Sequence, residues 1–336
     1  DSVCFNEVTN FTNLSTISTG LITDNDWDFG FSTTSNALNP TNTFPQTGYH
    51  PVFLSVTSDL GCVDTITKNI RVYVLPQPAF SNNDTCFEDI VSFSNQSQIS
   101  EGTIDAYDWD FGDSQTSNLQ ASTHYYGAEG MYTATLVATS NFGCTETVSQ
   151  QVEIYPLPQI SFVPSPAEGC QPLSVAFNNQ TQITSGYQLD TYEWDLGHGV
   201  TSEEINPQTV YADSGLYDVE LIVTTTDGCD DTLLVSNAVD VWPRPVAGFS
   251  THKETYIILF PRVDFIDESV GATEWFYEFS DGNTSIEQSP SNEYQEPGTY
   301  RVIQYVNNDY GCDDATSLTL VVKPAITFYA PSAFTP

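Results

Sequence analysis

Nine residues, Asp105-Ala-Tyr-Asp-Trp-Asp-Phe-Gly-Asp113, gather four carboxylates around a tryptophan, side chains that suit a hard cation or a pair of catalytic acids. Their spacing argues otherwise. Tyr107, Trp109 and Phe111 fall on alternate positions with Asp108 and Asp110 between them, the period of a strand with one apolar and one acidic face. An EF-hand loop needs ligands at positions 1, 3 and 5, glycine at 6 and a bidentate Glu at 12. Neither this stretch nor its relative at 24–30 supplies that glycine and glutamate. Oxygen-rich turns at domain joints can still hold calcium and offset negative charge, so Asp110 and Asp113 remain the candidate ligands.

Other catalytic constellations are missing. The chain has no G-x-S-x-G elbow, no H-E-x-x-H and no phosphate-binding G-x-x-x-x-G-K-[ST]. Adjacent carboxylates such as Glu203 and Glu204, or Asp230 and Asp231, point to opposite faces of a strand. The sequence therefore reads as non-enzymatic.

Seven cysteines carry the remaining chemistry. Cys4, Cys86 and Cys170 each stand seven residues before a phenylalanine (Phe11, Phe93, Phe177), and Cys62, Cys144 and Cys229 each follow a glycine. The recurrence suggests three equivalent disulfides, Cys4–Cys62, Cys86–Cys144 and Cys170–Cys229, each worth roughly 4 kcal/mol in the chain-entropy model. Reduced core thiols are the plainer alternative. Zinc is the other, but it wants clustered Cys or His, and the four histidines are scattered. Ile258 stands where a fourth first cysteine belongs, which leaves Cys312 as the free thiol, either buried and inert or left over by divergence, with a bridge to another molecule as the sharper alternative. Disulfides imply an oxidising, extracellular location.

The elements that would position these residues are strands. Seven Lys and Arg against 44 Asp and Glu give a net charge of −37, which repels nucleic acid and anionic lipid. Ser, Thr, Asn, Val, Tyr and Phe abound, and no apolar run nears the ~18 residues of a membrane span. The chain starts with neither a signal peptide nor Met and reads as a mature or trimmed fragment. The tryptophan motif recurs: Trp27, Trp109, Trp194 and Tyr277 follow one another at intervals of 82 to 85 positions. In the same register come a turn glycine (Gly48, Gly130, Gly215, Gly298), then His50, Tyr132, Tyr217 and Tyr300, then a Gly-Cys pair, then a proline joint. Four tandem domains follow, at 1–76, 77–157, 158–244 and 245–324, with a linker at 325–336. Each reads as a β-sandwich of about seven short strands, and the proline joints suggest a semi-rigid, extended rod. Trp27, Trp109 and Trp194 sit on the apolar face and read as core. Trp242 and Trp275 are the better candidates for exposed, ligand-stacking aromatics.

The stretch Tyr107–Asp113, with Gly130 and Tyr132, resembles the signature of PKD domains, immunoglobulin-like sandwiches with an aromatic-x-Trp-Asp-Phe-Gly-Asp strand. The likeness spans nearly the whole chain, although Phe31, His50, Leu196, His198, Glu278 and Ser280 depart from the pattern. It implies an all-β array of extracellular spacer or adhesion modules. The segment 326–336 resembles the opening of a type IX secretion sorting domain of the gliding-motility class. That resemblance implies a stalk of a large cell-surface adhesin whose partner is the type IX machinery, reached through a further C-terminal domain, with extracellular polysaccharide or surfaces as its targets. It also implies O-glycosylation at Thr65 and Thr232, each in an Asp-Thr-apolar triplet. The alternative function is a carbohydrate-binding accessory array of a secreted polysaccharide- or protein-degrading enzyme.

Overall fold

The computed structural model describes residues 2–259 and 261–326. Every regular element among them is a strand, as the β-branched and aromatic composition dictates. The chain forms two compact units, Asp1–Leu157 and Pro158–Pro336, each holding two of the four sandwiches.

Repeat 2 shows the plan. A five-stranded sheet runs in the order Thr116–Ser117, Ile104–Asp110, Gly130–Ser140, Thr145–Tyr155, Thr85–Cys86, and a three-stranded sheet of Ser122–Tyr125, Ile90–Asn95 and Phe80–Ser81 covers it. All contacts are antiparallel except the last, where Thr85–Cys86 lies parallel to the far end of Thr145–Tyr155 and pairs Cys86 with Tyr155. Alternation fills the space between the sheets. Ala134, Leu136 and Ala138 point inward from one long strand, Val91 and Phe93 from the facing sheet, and Trp109 lies between them, 1% exposed. Repeats 3 and 4 repeat this order.

Repeat 1 differs in its second sheet. Among the described residues it has two strands, Thr9–Asn10 and Thr41–Asn42. Repeats 2, 3 and 4 each add an edge strand there, carrying Phe80, Phe162 or Phe249.

Repeat 4 departs in its core. Gln304 takes the position of Leu136 and is fully buried. Its Nε2 lies 2.8 Å from the Tyr277 hydroxyl, 2.9 Å from Asp267 Oδ1 and 3.0 Å from Ser269 Oγ. Tyr277 in place of tryptophan brings a hydroxyl into the core, and the amide meets it. Gln304 Oε1 has no partner.

Candidate functional site

The aromatic signature closes a turn. Trp109 Nε1–H donates to the Leu119 carbonyl at 2.9 Å, and Trp27 and Trp194 make the same bond to Ala37 (3.1 Å) and Glu204 (2.9 Å). In repeat 4 the Tyr277 hydroxyl donates to Gln288 instead, at 3.1 Å. The carboxylate after the tryptophan caps its own backbone: Asp110 Oδ1 accepts the Gly112 N–H at 2.9 Å, and Asp28 and Asp195 do likewise for Gly30 and Gly197. Gly112 has φ 83°, and a Cβ there would stand 2.6 Å from the Thr133 carbonyl oxygen. Ser280 occupies this position in repeat 4 at φ 61°. Its hydroxyl donates to the Arg301 carbonyl there.

Asp113 is the most enclosed carboxylate of the motif. Its Oδ2 is 2.7 Å from His124 Nε2, and its Oδ1 accepts the Gln115 N–H at 3.0 Å. The imidazole stacks on Phe111, with centroids 4.2 Å apart, and meets Tyr126 edge-on. Burial pushes the Asp113 pKa up, but the His124 hydrogen bond, the Gln115 N–H and the positive charge on His124 outweigh it, leaving the group below the usual carboxylate range. Asp110 and Asp113 thus have protein partners suited to closing a turn, and no cluster of three or more metal-ligating side chains occurs among the described residues.

The turn is braced from behind. Tyr126, Tyr211 and Tyr294 donate to the carbonyls of Phe111, Leu196 and Phe279, and burial raises all three pKa values. Tyr132, Tyr217 and Tyr300 each donate to a carbonyl four residues back. His50 does the same work in repeat 1, with Nε2 2.7 Å from the Gln46 carbonyl oxygen.

The cysteines overturn the expected pairing. Cys4 bonds to Cys144, with Cα atoms 5.6 Å apart, and Cys170 bonds to Cys312, at 5.7 Å. Cys86 and Cys229 are disulfide-bonded too, and Cys62 is free and exposed. Cys312 is therefore no spare thiol, and Cys4–Cys62, Cys86–Cys144 and Cys170–Cys229 do not form. Strand direction forbids them. Cys4 pairs with Tyr73 at the far end of Val63–Tyr73, whereas Cys62 precedes the start of that strand. Eleven residues lie in that strand, a span of roughly 35 Å at ~3.3 Å per residue, and a disulfide tolerates a Cα separation of at most about 7 Å. Repeats 2 and 3 place their cysteines at opposite strand ends in the same way.

Each described disulfide joins one repeat to the next and is flanked by an aromatic stack. Tyr73, beside Cys4, stacks on Phe142 of the hairpin that presents Cys144, with centroids 3.9 Å apart, while Arg71 covers Tyr73 and pairs with Glu101. Trp242, beside Cys170, stacks on Tyr310 of the hairpin that presents Cys312, at 5.9 Å. Asn308 Nδ2 donates across that joint to the Pro243 carbonyl at 2.7 Å.

Trp242 is therefore a half-buried part of a joint rather than a free stacking platform. Its Nε1–H is also used, on Asp240 at 3.1 Å. Trp275 is half-buried against the repeat 4 core and edges a cleft of about 560 Å³ with Phe276, Ile286 and Tyr305. Its Nε1 is buried without a partner. Thr65 and Thr232 are exposed, each donating its backbone N–H to the preceding aspartate. Of the segment 326–336, only Ile326 belongs to the described residues.

The PKD domain model matches residues 1–74, 75–154, 156–241 and 243–323. This chain belongs to the PKD domain family. The four matches take up nearly all of it, and no catalytic domain lies among them. A collagenase, ColA, of Clostridium perfringens is 33% identical over 107 residues, which is 32% of this chain and 9% of that protein. The pre-pro-metalloprotease PrtV of Vibrio cholerae is 29% identical over 147 residues, 43% of this chain and 16% of that protein. The chain thus spans less than a fifth of these relatives. Among solved structures, the PKD1 domain of Vibrio cholerae PrtV is 34% identical, covers 24% of this chain and 96% of that one, and has a TM-score of 0.23. The N-terminal eight immunoglobulin domains of the Down syndrome cell adhesion molecule are 10% identical over 96% of this chain and 46% of theirs, with a TM-score of 0.47.

Proposed function

We propose that this array is a non-catalytic extracellular spacer within a larger cell-surface protein. The observation that carries the reading is the pair of inter-repeat disulfides, Cys4–Cys144 and Cys170–Cys312, each backed by an aromatic stack. Repeats 2 and 3 each enclose a core of their own, so these bonds serve the joint, which a spacer must hold and an independent binding module need not. Acidity keeps such an array soluble and unattached to anionic surfaces. The resemblance of 326–336 to the opening of a type IX sorting domain supports export by that machinery and a place in a gliding-associated adhesin, with Thr65 and Thr232 as exposed glycosylation sites.

A second reading, an accessory segment of a secreted degradative enzyme, is favoured by the collagenase and metalloprotease relatives. Binding of residues 1–336 to fibrillar collagen and a polysaccharide panel separates the two. The spacer shows no saturable binding, with calcium or with chelator. Saturable binding to collagen or to one glycan, lost in Trp275→Ala, would establish the second reading.

A further inference from the structure

Repeat 1 carries three unmet features on one end, and each is met elsewhere in the molecule. The first is a groove. Phe80 packs on Trp109 at 5.0 Å between centroids, Phe162 on Trp194 at 5.1 Å and Phe249 on Tyr277 at 5.6 Å. Over Trp27 there is no such ring. The space is a cavity of about 980 Å³ lined by Phe11, Leu14, Ile17, Trp27 and Leu54, and Leu14 is 82% exposed. In the other repeats the strand that fills this space is held by the backbone, as where Gln96 N–H donates to the Ala79 carbonyl at 2.7 Å and Gln180 N–H to Ser161 at 2.7 Å. Leu14 holds the matching position.

The second and third features are at the hairpin tip. Cys62 is presented by the same turn as Cys144. The Cys62 carbonyl accepts from Ser58 N–H at 2.8 Å and the Ser58 hydroxyl accepts the Cys62 N–H at 3.1 Å, the distances found at Ser140 and Cys144. Leu60, 81% exposed, stands where Phe142 and Tyr310 carry their stacks. In both described joints the partner of this tip is a preceding repeat whose last strand ends in an aromatic beside a cysteine, Tyr73 with Cys4 or Trp242 with Cys170. The chain then runs directly into the phenylalanine strand.

We infer that this end of repeat 1 is the docking surface for one more PKD-type repeat, preceding Asp1 in the same polypeptide. That repeat lays an aromatic residue on Leu60, bonds its first-strand cysteine to Cys62, and sends a strand bearing phenylalanine through the groove over Trp27. Covalent order selects this source over a separate molecule, since in repeats 2 to 4 the groove-filling strand always comes from the residues just ahead of the parallel strand. The S–S bond forms by thiol–disulfide exchange: a disulfide oxidant such as oxidised glutathione takes up two electrons and two protons and leaves as two thiols. The inference is independent of whether the array spaces an adhesin or an enzyme.

The test joins a copy of residues 158–251 directly to Asp1, which sets its Phe249 six positions ahead of Cys4, the interval from Phe80 to Cys86. In the copy Cys229→Ala leaves Cys170 as the sole donor thiol. After oxidation with glutathione disulfide, Cys62 becomes unreactive to Ellman's reagent, peptide mapping recovers the Cys170–Cys62 link, and amide exchange at residues 13–17 slows by about tenfold or more. With Phe249→Ala in the copy, the link forms but the exchange protection is lost. Mapping of the natural protein from its own cells stands as a second measurement, should the copy fail to fold. It is expected to show Cys62 bonded to a cysteine upstream of Asp1. A free Cys62, or one bonded to a second copy of the chain, in that natural protein overturns the inference.

Discussion

Asp110 is the residue that most invites a functional reading and the one the fold explains most fully. Its carboxylate closes a turn by accepting the Gly112 N–H, so Asp110→Ala should cost repeat 2 about 1 kcal/mol, read by denaturant melting, and calcium should not change that difference. Asp113 makes a pH prediction. Its pKa is depressed in the folded state, so it adds stability that is fully present above the unfolded value of about 3.9 and lost as pH falls below it. Asp267 in repeat 4 behaves alike: burial raises it, but hydrogen bonds from Ser269, Gln288 and Gln304 lower it further. Acid titration of melting temperature should therefore show a steeper decline below about pH 4 for the parent than for Asp113→Asn. Equal slopes would contradict the His124 pairing. The alternation of Tyr107, Trp109 and Phe111 made the strand legible in the sequence, whereas the partners of Asp113 were not, because His124 comes from a different strand in the facing sheet.

At the scale of the strand, register and direction decide what residue types could not. Cysteine recurrence was visible in the sequence, and it suggested pairs within each repeat because both members belong to the same sandwich. They stand at opposite ends of one long strand, and only the parallel pairing of the short first strand reveals this. A signal was present. Pairing a first cysteine with the hairpin cysteine of the next repeat, as Cys4–Cys144 and Cys170–Cys312 do, gives Cys312 a partner, accounts for Ile258 at the last first-cysteine position, and moves the spare thiol to Cys62. The bonds should then matter to joints more than to domains. Cys144→Ser should leave the cooperative melt of repeat 2 within about 1 kcal/mol of the parent, while amide exchange around Tyr73 and Phe142 rises markedly; a collapse of repeat 2 would contradict this. The Gln304 network in repeat 4 is a second strand-level departure. Gln304→Leu restores the side chain of repeats 1, 2 and 3 but takes the amide donor away from the Tyr277 hydroxyl, Asp267 and Ser269, so repeat 4 should lose about 1 kcal/mol, checked by thermal melting.

At the scale of the molecule, the repeat length, the four sandwiches and the β class followed from periodicity. The open groove of repeat 1 was not legible, since it shows only when three closed copies are laid beside one that lacks its edge strand. Position in the sequence points to Trp242 and Trp275 as exposed aromatics, and the structure half-buries both, because Trp242 stacks on Tyr310 and Trp275 packs against the repeat 4 core. The two described joints, one within each unit, are alike in kind: an aromatic stack, a hairpin tip and a disulfide that crosses from one repeat to the next. Bonds closing about 140 residues are worth roughly 5 kcal/mol in the chain-entropy model. The most direct test is disulfide mapping of residues 1–336 by digestion without reduction at acidic pH, followed by mass spectrometry. The account predicts peptides linking Cys4 to Cys144 and Cys170 to Cys312, with Cys62 recovered as a free thiol. Peptides linking Cys4 to Cys62, or Cys86 to Cys144, would place the bonds inside the sandwiches and contradict it.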